Sequence, residues 1–295
     1  MNAALPLPAG LQLLFAGLVG SLIGSFLNVC IYRLPRGLSV VRPRSSCPHC
    51  RTPIPGYRNI PLVSWLLLRG RAACCGSAIP LRYFGVEALT ACAAVVAFRS
   101  WGPTLEGVAQ FLFAAMLIVL FFTDLDLRLL PDAVTLPGTA VGLLLSWWRP
   151  ELGAPLWPTG WCSAAIAAAA GWAAFAGLAA LWRRMRGIEA VGGGDIKMMA
   201  LLGAFLGLPG MIIALLAASL LGSLVGMGIA AAYASRRLGD FRKRFPARGG
   251  TGLAGALFLR GLRRKTVPFG CFLSVGALAA SLWGERAVRW YLSLL

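Results

Sequence analysis

Two short stretches hold the residues best placed to do chemistry. "FFTDLDLRLLPD" at 121–132 carries Asp124, Asp126 and Asp132, and "AVGGGDIKMM" at 190–199 carries Asp195 behind Gly192, Gly193 and Gly194. Only ten acidic residues occur in the 295, so this concentration asks for a reason. Two carboxylates brought within a few ångströms cannot both ionise easily, and such a pair can activate water and protonate a leaving amine, as in an aspartic protease. Other hydrolytic arrangements lack their parts: His49 is the sole histidine and there is no Gly-x-Ser-x-Gly elbow. Asp124 and Asp126, two apart, point to nearly opposite faces of a helix, so only one can meet a partner carboxylate. Three successive glycines disfavour a helix interior but let another backbone approach closely.

Long apolar segments must position these acids. The chain is 58% hydrophobic and 13% charged, with a mean hydropathy of +0.76, which excludes an ordinary water-soluble domain. Segments 11–32, 107–123, 152–182, 198–235 and 266–284 carry no Asp, Glu, Lys or Arg, and a span needs about 20 such residues. Segments 83–98, apolar except for Glu87, and 133–148 complete the set. The 198–235 stretch is too long for one span, and "LGLPGM" with Pro209 and Gly210 predicts a turn dividing it.

The expected fold is therefore all-α, a polytopic membrane protein of about eight transmembrane helices with a cytoplasmic loop between the first two. Charge supports the count. With the amino terminus outside, segments 33–82, 124–132, 183–197 and 236–265 fall inside and hold 24 of the 28 Lys and Arg. The first span reads as a retained anchor, since no Lys or Arg precedes it and no small-residue cleavage signal is evident. Basic inner loops beside an anionic leaflet account for the net charge of +18 without a nucleic-acid partner.

This topology puts Asp124 at the cytoplasmic end of the third span and Asp195 at the cytoplasmic start of the sixth. Acids at membrane depth cost about 2.5–3.5 kcal/mol on insertion scales, which marks this pair as a candidate site. Asp126, Asp132 and Glu189 read as solvated helix ends. A transporter is the rival reading, because broken helices and membrane acids serve transport too, but its carboxylates belong near the midplane. A catalytically silent membrane scaffold is a third.

The motifs resemble those of the prepilin peptidases. "FTDLDLRLLPD" and "GGGDIK" look like that family's paired aspartate motifs, and "GSFLNVCIYRLPRG" (24–37), "CPHC" (47–50), "NIPLVSWLLLRGR" (59–71), "IPLRYFGVE" (79–87) and "VPFGCFL" (267–273) follow in its order. The resemblance implies a multi-pass aspartic peptidase of the bacterial inner membrane, with Asp124 and Asp195 catalytic at the cytoplasmic face. Its substrates would be type IV prepilins and type II secretion pseudopilins, cut after a glycine. Many members also N-methylate the new terminus with S-adenosylmethionine, an activity associated with the first cytoplasmic loop. Residues 1–32 are then a first span, 33–82 a Cys-containing loop for zinc and methyl transfer, and 83–295 the peptidase domain. Partners would be prepilins, pseudopilins and membrane lipid, with no soluble small molecule beyond the methyl donor. A peptidase-only member is the alternative within the family.

Bifunctional members of the family carry two Cys-x-x-Cys pairs, spaced for a tetrathiolate zinc site. Cys47 and Cys50 make one pair, but "GRAACCG" puts Ala72 where the third cysteine belongs, with Cys75 as the fourth and Cys74 beside it. Adjacent cysteines are expected to point apart. A three-thiolate site completed by Cys74 or His49, or no metal, are the alternatives; the other reading of these thiols is as reduced residues of a cytoplasmic loop. Cys30, Cys92, Cys162 and Cys271 are expected to pack within spans. Glu87 is expected to make a polar contact with Asn28 or an Arg, and its place in "RYFGVE" makes it a candidate for the cofactor site of methyl transfer. No internal repeat is evident.

Overall fold

Apolar runs bounded by proline and glycine become helices in the computed structural model, which describes residues 8–148, 160–189, 191–244 and 268–293. In chain order these are α1 (Ala9–Arg33), the short α2 (Val63–Leu67), α3 (Leu81–Trp101), α4 (Leu105–Leu127), α5 (Asp132–Trp148), α6 (Trp161–Arg186), α7 (Gly193–Arg244) and α8 (Phe269–Leu292). Two isolated β-bridges are the only extended pairing among the described residues. Five helices, α1, α3, α4, α6 and α7, are long and apolar enough to cross a bilayer. The chain is an all-α, multi-pass membrane protein.

Helix α7 is broken where a long uncharged stretch requires it. The break falls at Gly207 (φ 64°, ψ −178°), two residues before Pro209, so the expected turn at Pro209 and Gly210 is displaced. A positive φ suits glycine, while proline is tolerated in the first turn of the helix that follows. Residues 245–265, most of the basic segment expected inside, lie outside the described residues.

Small residues bring the helices together without a hydrophobic force between them, as helices in lipid require. A Cβ on Gly20 of α1 would lie 2.6 Å from the Ala94 Cβ of α3, and one on Gly24 would lie 2.7 Å from the Glu87 Cα. Helices α6 and α7 meet the same way, with the Ala167 carbonyl 2.5 Å from where a Cβ of Gly203 would sit. Phe113 of α4 stacks on Phe205 of α7 with centroids 4.6 Å apart. Buried Leu120, Met198, Leu201 and Leu202 extend this core towards the ends of α4 and α7 that bear Asp124 and Asp195.

Candidate active site

Asp124 lies in the last turn of α4, which ends when Arg128 adopts a left-handed conformation (φ 54°) and donates its N–H to the Asp124 carbonyl at 2.9 Å. The side chain turns inward and is 6% exposed. Its Oδ2 accepts the N–H of Cys271 at 2.9 Å. This amide belongs to the first turn of α8, where backbone donors have no intrahelical partner and favour an acidic group. Gly270 makes the approach possible: a Cβ there would lie 2.8 Å from Asp124 Oδ2. The "VPFG" run signals this role only as a proline and glycine before a helix, and its pairing with an aspartate some 150 residues earlier was beyond spacing arguments.

Asp195 is the third residue of α7 and partly buried. Its N–H donates to the Gly192 carbonyl at 3.1 Å, so Gly192 starts the first turn. The three glycines do different work. Gly192 and Gly193 are exposed, with open space where a Gly193 side chain would stand, whereas a Cβ on Gly194 would lie 2.9 Å from Leu130 Cβ. Leu130 also lies 3.1 Å from where a Gly270 Cβ would be. One side chain thus separates the glycine before Asp195 from the glycine on Asp124, and Asp195 is within electrostatic reach of Asp124. Both acids sit at helix ends, Asp124 in the last turn of α4 and Asp195 in the first of α7.

The neighbouring acids are more than solvated helix ends. Asp126 pairs with Arg82 of α3, and Asp132 at the start of α5 accepts from Lys197 Nζ at 2.7 and 2.6 Å. The second pair ties the segment after Asp124 to the helix of Asp195. Glu189 is exposed. Glu87 is 8% exposed and reaches neither Asn28 nor an arginine: its Oε2 accepts the Leu62 N–H at 2.7 Å, while Asn28 donates to the Tyr83 carbonyl at 3.0 Å. Leu62 is itself left-handed (φ 62°), so this carboxylate holds a strained entry to α2. Cys30 and Cys271 are buried as expected, but Cys92 and Cys162 face outward.

The loop between α1 and α3 contains the repeat that composition concealed. Cys47 N–H donates to the Thr52 carbonyl at 2.9 Å and Arg51 N–H to the Cys47 carbonyl at 2.9 Å, beside a bridge of Ser46 with Pro53. The pattern recurs from Ala72 N–H to the Ser77 carbonyl at 2.8 Å and Gly76 N–H to the Ala72 carbonyl at 2.7 Å, beside a bridge of Arg71 with Ala78. Arg51 (φ 58°) and Gly76 (φ 68°) close the two knuckles alike. In this register Ala72 matches Cys47, Cys75 matches Cys50, and Cys74 matches His49.

The sulfurs of Cys47, Cys50, Cys74 and Cys75 nevertheless converge, all within 4.8 Å of one another. Cys47 Sγ is 3.6 Å from Cys75 Sγ, Cys50 Sγ 3.3 Å from Cys74 Sγ, and Cys74 Sγ 3.9 Å from Cys75 Sγ. Zinc–sulfur bonds of about 2.3 Å in a tetrahedron set sulfurs about 3.8 Å apart. The expectation that adjacent cysteines point apart is therefore corrected: the turn folds Cys74 back into the space that a cysteine at 72 would fill. The amides of Cys50 and His49 hold the Cys47 thiol down at about 6, and the Thr52 hydroxyl lowers Cys50. Cys74 is pushed up to about 12, first by the adjoining Cys50 sulfur.

Comparison with known proteins bears on both regions. The profile of the Bacterial Peptidase A24 N-terminal domain matches residues 18–101, the thiol loop and its flanking helices, and that of the Type IV leader peptidase family matches 111–227, which contains both aspartates. The chain is 36% identical to the prepilin leader peptidase/N-methyltransferase of Aeromonas salmonicida (strain A449), with all of both chains covered. It is 31% identical to the protein of that name from Legionella pneumophila over 95% of this chain and 94% of the other. To its counterpart in Myxococcus xanthus (strain DK1622) it is 39% identical over 72% of this chain and 62% of the other. No solved structure matches. Matches that run through the thiol loop and through both aspartate-bearing helix ends, across the whole length of a relative, place this chain in the type IV leader peptidase family.

Proposed function

We propose that the chain removes leader peptides from prepilins and pseudopilins at the cytoplasmic face of the inner membrane, with Asp124 and Asp195 as the catalytic pair, and methylates the new amino terminus. The observation that carries this reading is the anchoring of Asp124 Oδ2 by the Cys271 amide beside Gly270, one side chain away from the helix start that bears Asp195. One carboxylate takes a proton from water as its oxygen attacks the scissile carbonyl carbon. The other, protonated, gives its proton to the departing amine as the C–N bond breaks. The exposed backbone at Gly192 and Gly193, open at Gly193 and 3.3 Å from Asp195 Oδ2 where a Gly192 Cβ would stand, is where an extended substrate strand can approach. On this reading α5, α8 and the two parts of α7 bring the number of crossings to eight, and residues 33–82 form a cytoplasmic subdomain between 1–32 and the peptidase region 83–295.

The thiol cluster fits zinc. Cys47, Cys50, Cys74 and Cys75 would hold it, and the ion would supply a cross-link between the two knuckles. For S-adenosylmethionine the residue offered by sequence does not fit as it stands, because the Glu87 carboxylate is buried and already engaged by Leu62. Glu87 serves this reading by holding the loop against α3.

The test is incubation of the purified protein in detergent with a prepilin and S-adenosylmethionine, followed by the mass of the product's amino terminus. Cleavage with one added methyl group is expected. Cleavage without it makes this a peptidase alone, and an intact prepilin overturns the proposal.

A further inference from the structure

The segment before the second knuckle leaves an apolar face uncovered. Helix α2 turns Trp65 inward, against Phe84 of α3 at 5.1 Å between centroids, with its indole N–H on the Ile79 carbonyl at 3.4 Å. The opposite side shows Val63 (47% exposed), Leu66 (57%) and Leu67 (78%). Three aliphatic side chains displayed on a five-residue helix call for a cover.

Its depth indicates what that cover is. The Leu62 N–H is bound by Glu87, six residues into α3 from Leu81, which at about 1.5 Å per residue lies about 9 Å along the helix axis. Helix α3 has 21 residues, and a span needs about 20, so its length has little to spare beyond the hydrocarbon core. Helix α2 thus lies beside the membrane-inserted end of α3, at the boundary between headgroups and acyl chains, instead of standing clear above it. The charge agrees: exposed Arg58, Arg69 and Arg71 flank the apolar face, and no acid occurs between 33 and 82 to offset the nine arginines there. That field repels a basic peptide segment and complements lipid phosphate.

We infer that α2 is an interfacial lipid-binding element, with Val63, Leu66 and Leu67 inserted at the acyl-chain boundary and Arg58, Arg69 and Arg71 on anionic headgroups. The bilayer then forms one wall of the thiol subdomain, and Glu87 sets the depth of that wall through Leu62. The inference depends on membrane insertion and holds whether or not Asp124 and Asp195 are catalytic.

The experiment places the photocrosslinker benzoylphenylalanine at Leu67, or separately at Val63, in the full chain in lipid nanodiscs, with Leu112 on the exposed side of α4 as the control. The nanodiscs contain phosphatidylcholine alone or with phosphatidylglycerol, each with and without a prepilin. Lipid adducts at 63 and 67 comparable in yield to those at 112, undiminished by the prepilin, are expected. Lipid adducts at 112 without any at 63 and 67, or prepilin adducts in their place, overturn the inference. Amide exchange over 60–71 supplies a measurement free of the probe. It should be severalfold slower with phosphatidylglycerol present, and R58Q/R69Q/R71Q should remove that difference; identical exchange in both lipids overturns the headgroup assignment.

Discussion

The two aspartates and the four thiols are both converging clusters, but they are held in opposite ways. Asp124 and Asp195 are brought near each other by α4, α7 and α8, through contacts between residues far apart in the chain, such as Asp124 with Cys271. The thiols are gathered by two short knuckles, each closed by its own backbone hydrogen bonds. Long-range packing leaves no room for a side chain at Gly270 beside the Asp124 carboxylate, whereas a knuckle can present sulfur from more than one position along its turn. The first region should therefore be intolerant of small changes. The second has already absorbed one, Ala72 with Cys74 in place of a regular Cys-x-x-Cys pair.

The largest effect that would sharpen this contrast is expected at the acids themselves. Asp124→Asn and Asp195→Asn should each reduce prepilin cleavage by about 10²–10⁴-fold or more, the range that general acid–base groups supply, with unchanged membrane insertion. Cleavage rate on a prepilin in detergent is the measure, and near-normal cleavage by either variant would remove that residue from the pair.

Next in size is a single methyl group. Gly270→Ala puts a Cβ 2.8 Å from Asp124 Oδ2 and 3.1 Å from Leu130, so carboxylate or helix must shift. Misplacing a reacting group by about 1 Å can cost about 10²-fold, and a loss of about that order in kcat is expected. Gly193→Ala, which meets open space, should leave the fold intact and act only through substrate approach, seen as a raised KM. Equal rates for Gly270→Ala and the native chain would show that the α8 end does not position Asp124.

The thiol region should respond differently. Cys74→Ala should lower bound zinc well below one per chain, and Ala72→Cys combined with Cys74→Ala should restore it, because the two knuckles share a register in which position 72 mirrors Cys47. Metal content per chain is the readout, and prepilin cleavage should change little in either variant. Binding at neutral pH should release a proton, since Cys74 is pushed up to about 12 and must lose its proton to ligate, and it should weaken as pH falls through about 6, where Cys47 becomes protonated.

Much of this was legible because membrane helices announce themselves by length and apolarity, and because an acid at the end of such a run is conspicuous. The break in α7 was legible too, although Gly207 bears it and not the proline and glycine beyond. What escaped were relations that spacing cannot carry. The α8 amide on Asp124 joins distant segments, and Glu87 on Leu62 depends on a left-handed leucine that no propensity predicts. The knuckle repeat was hidden because its likeness lies in backbone hydrogen bonds, while "CPHC" and "AACC" differ in side chains.

The smallest expected effect tests whether the two regions are coupled at all. Arg82, at the start of α3 where the thiol loop ends, pairs with Asp126, two residues from Asp124, and is a direct ionic link between the regions. Both side chains are partly exposed, 26% and 34%, and pairs of that kind contribute about 0.2–1 kcal/mol. Even if the whole of it bore on the transition state, Asp126→Asn would slow cleavage no more than about fivefold. An inactive Asp126→Asn beside an active Asp124→Asn would mean that the wrong member of the pair at 124 and 126 has been assigned. A double-mutant cycle with Arg82→Gln separates the remaining cases. If the pair acts only by joining α3 to α4, the two substitutions together should cost no more than either alone. Additive losses would show that Arg82 and Asp126 act on cleavage separately, each through contacts other than their pairing.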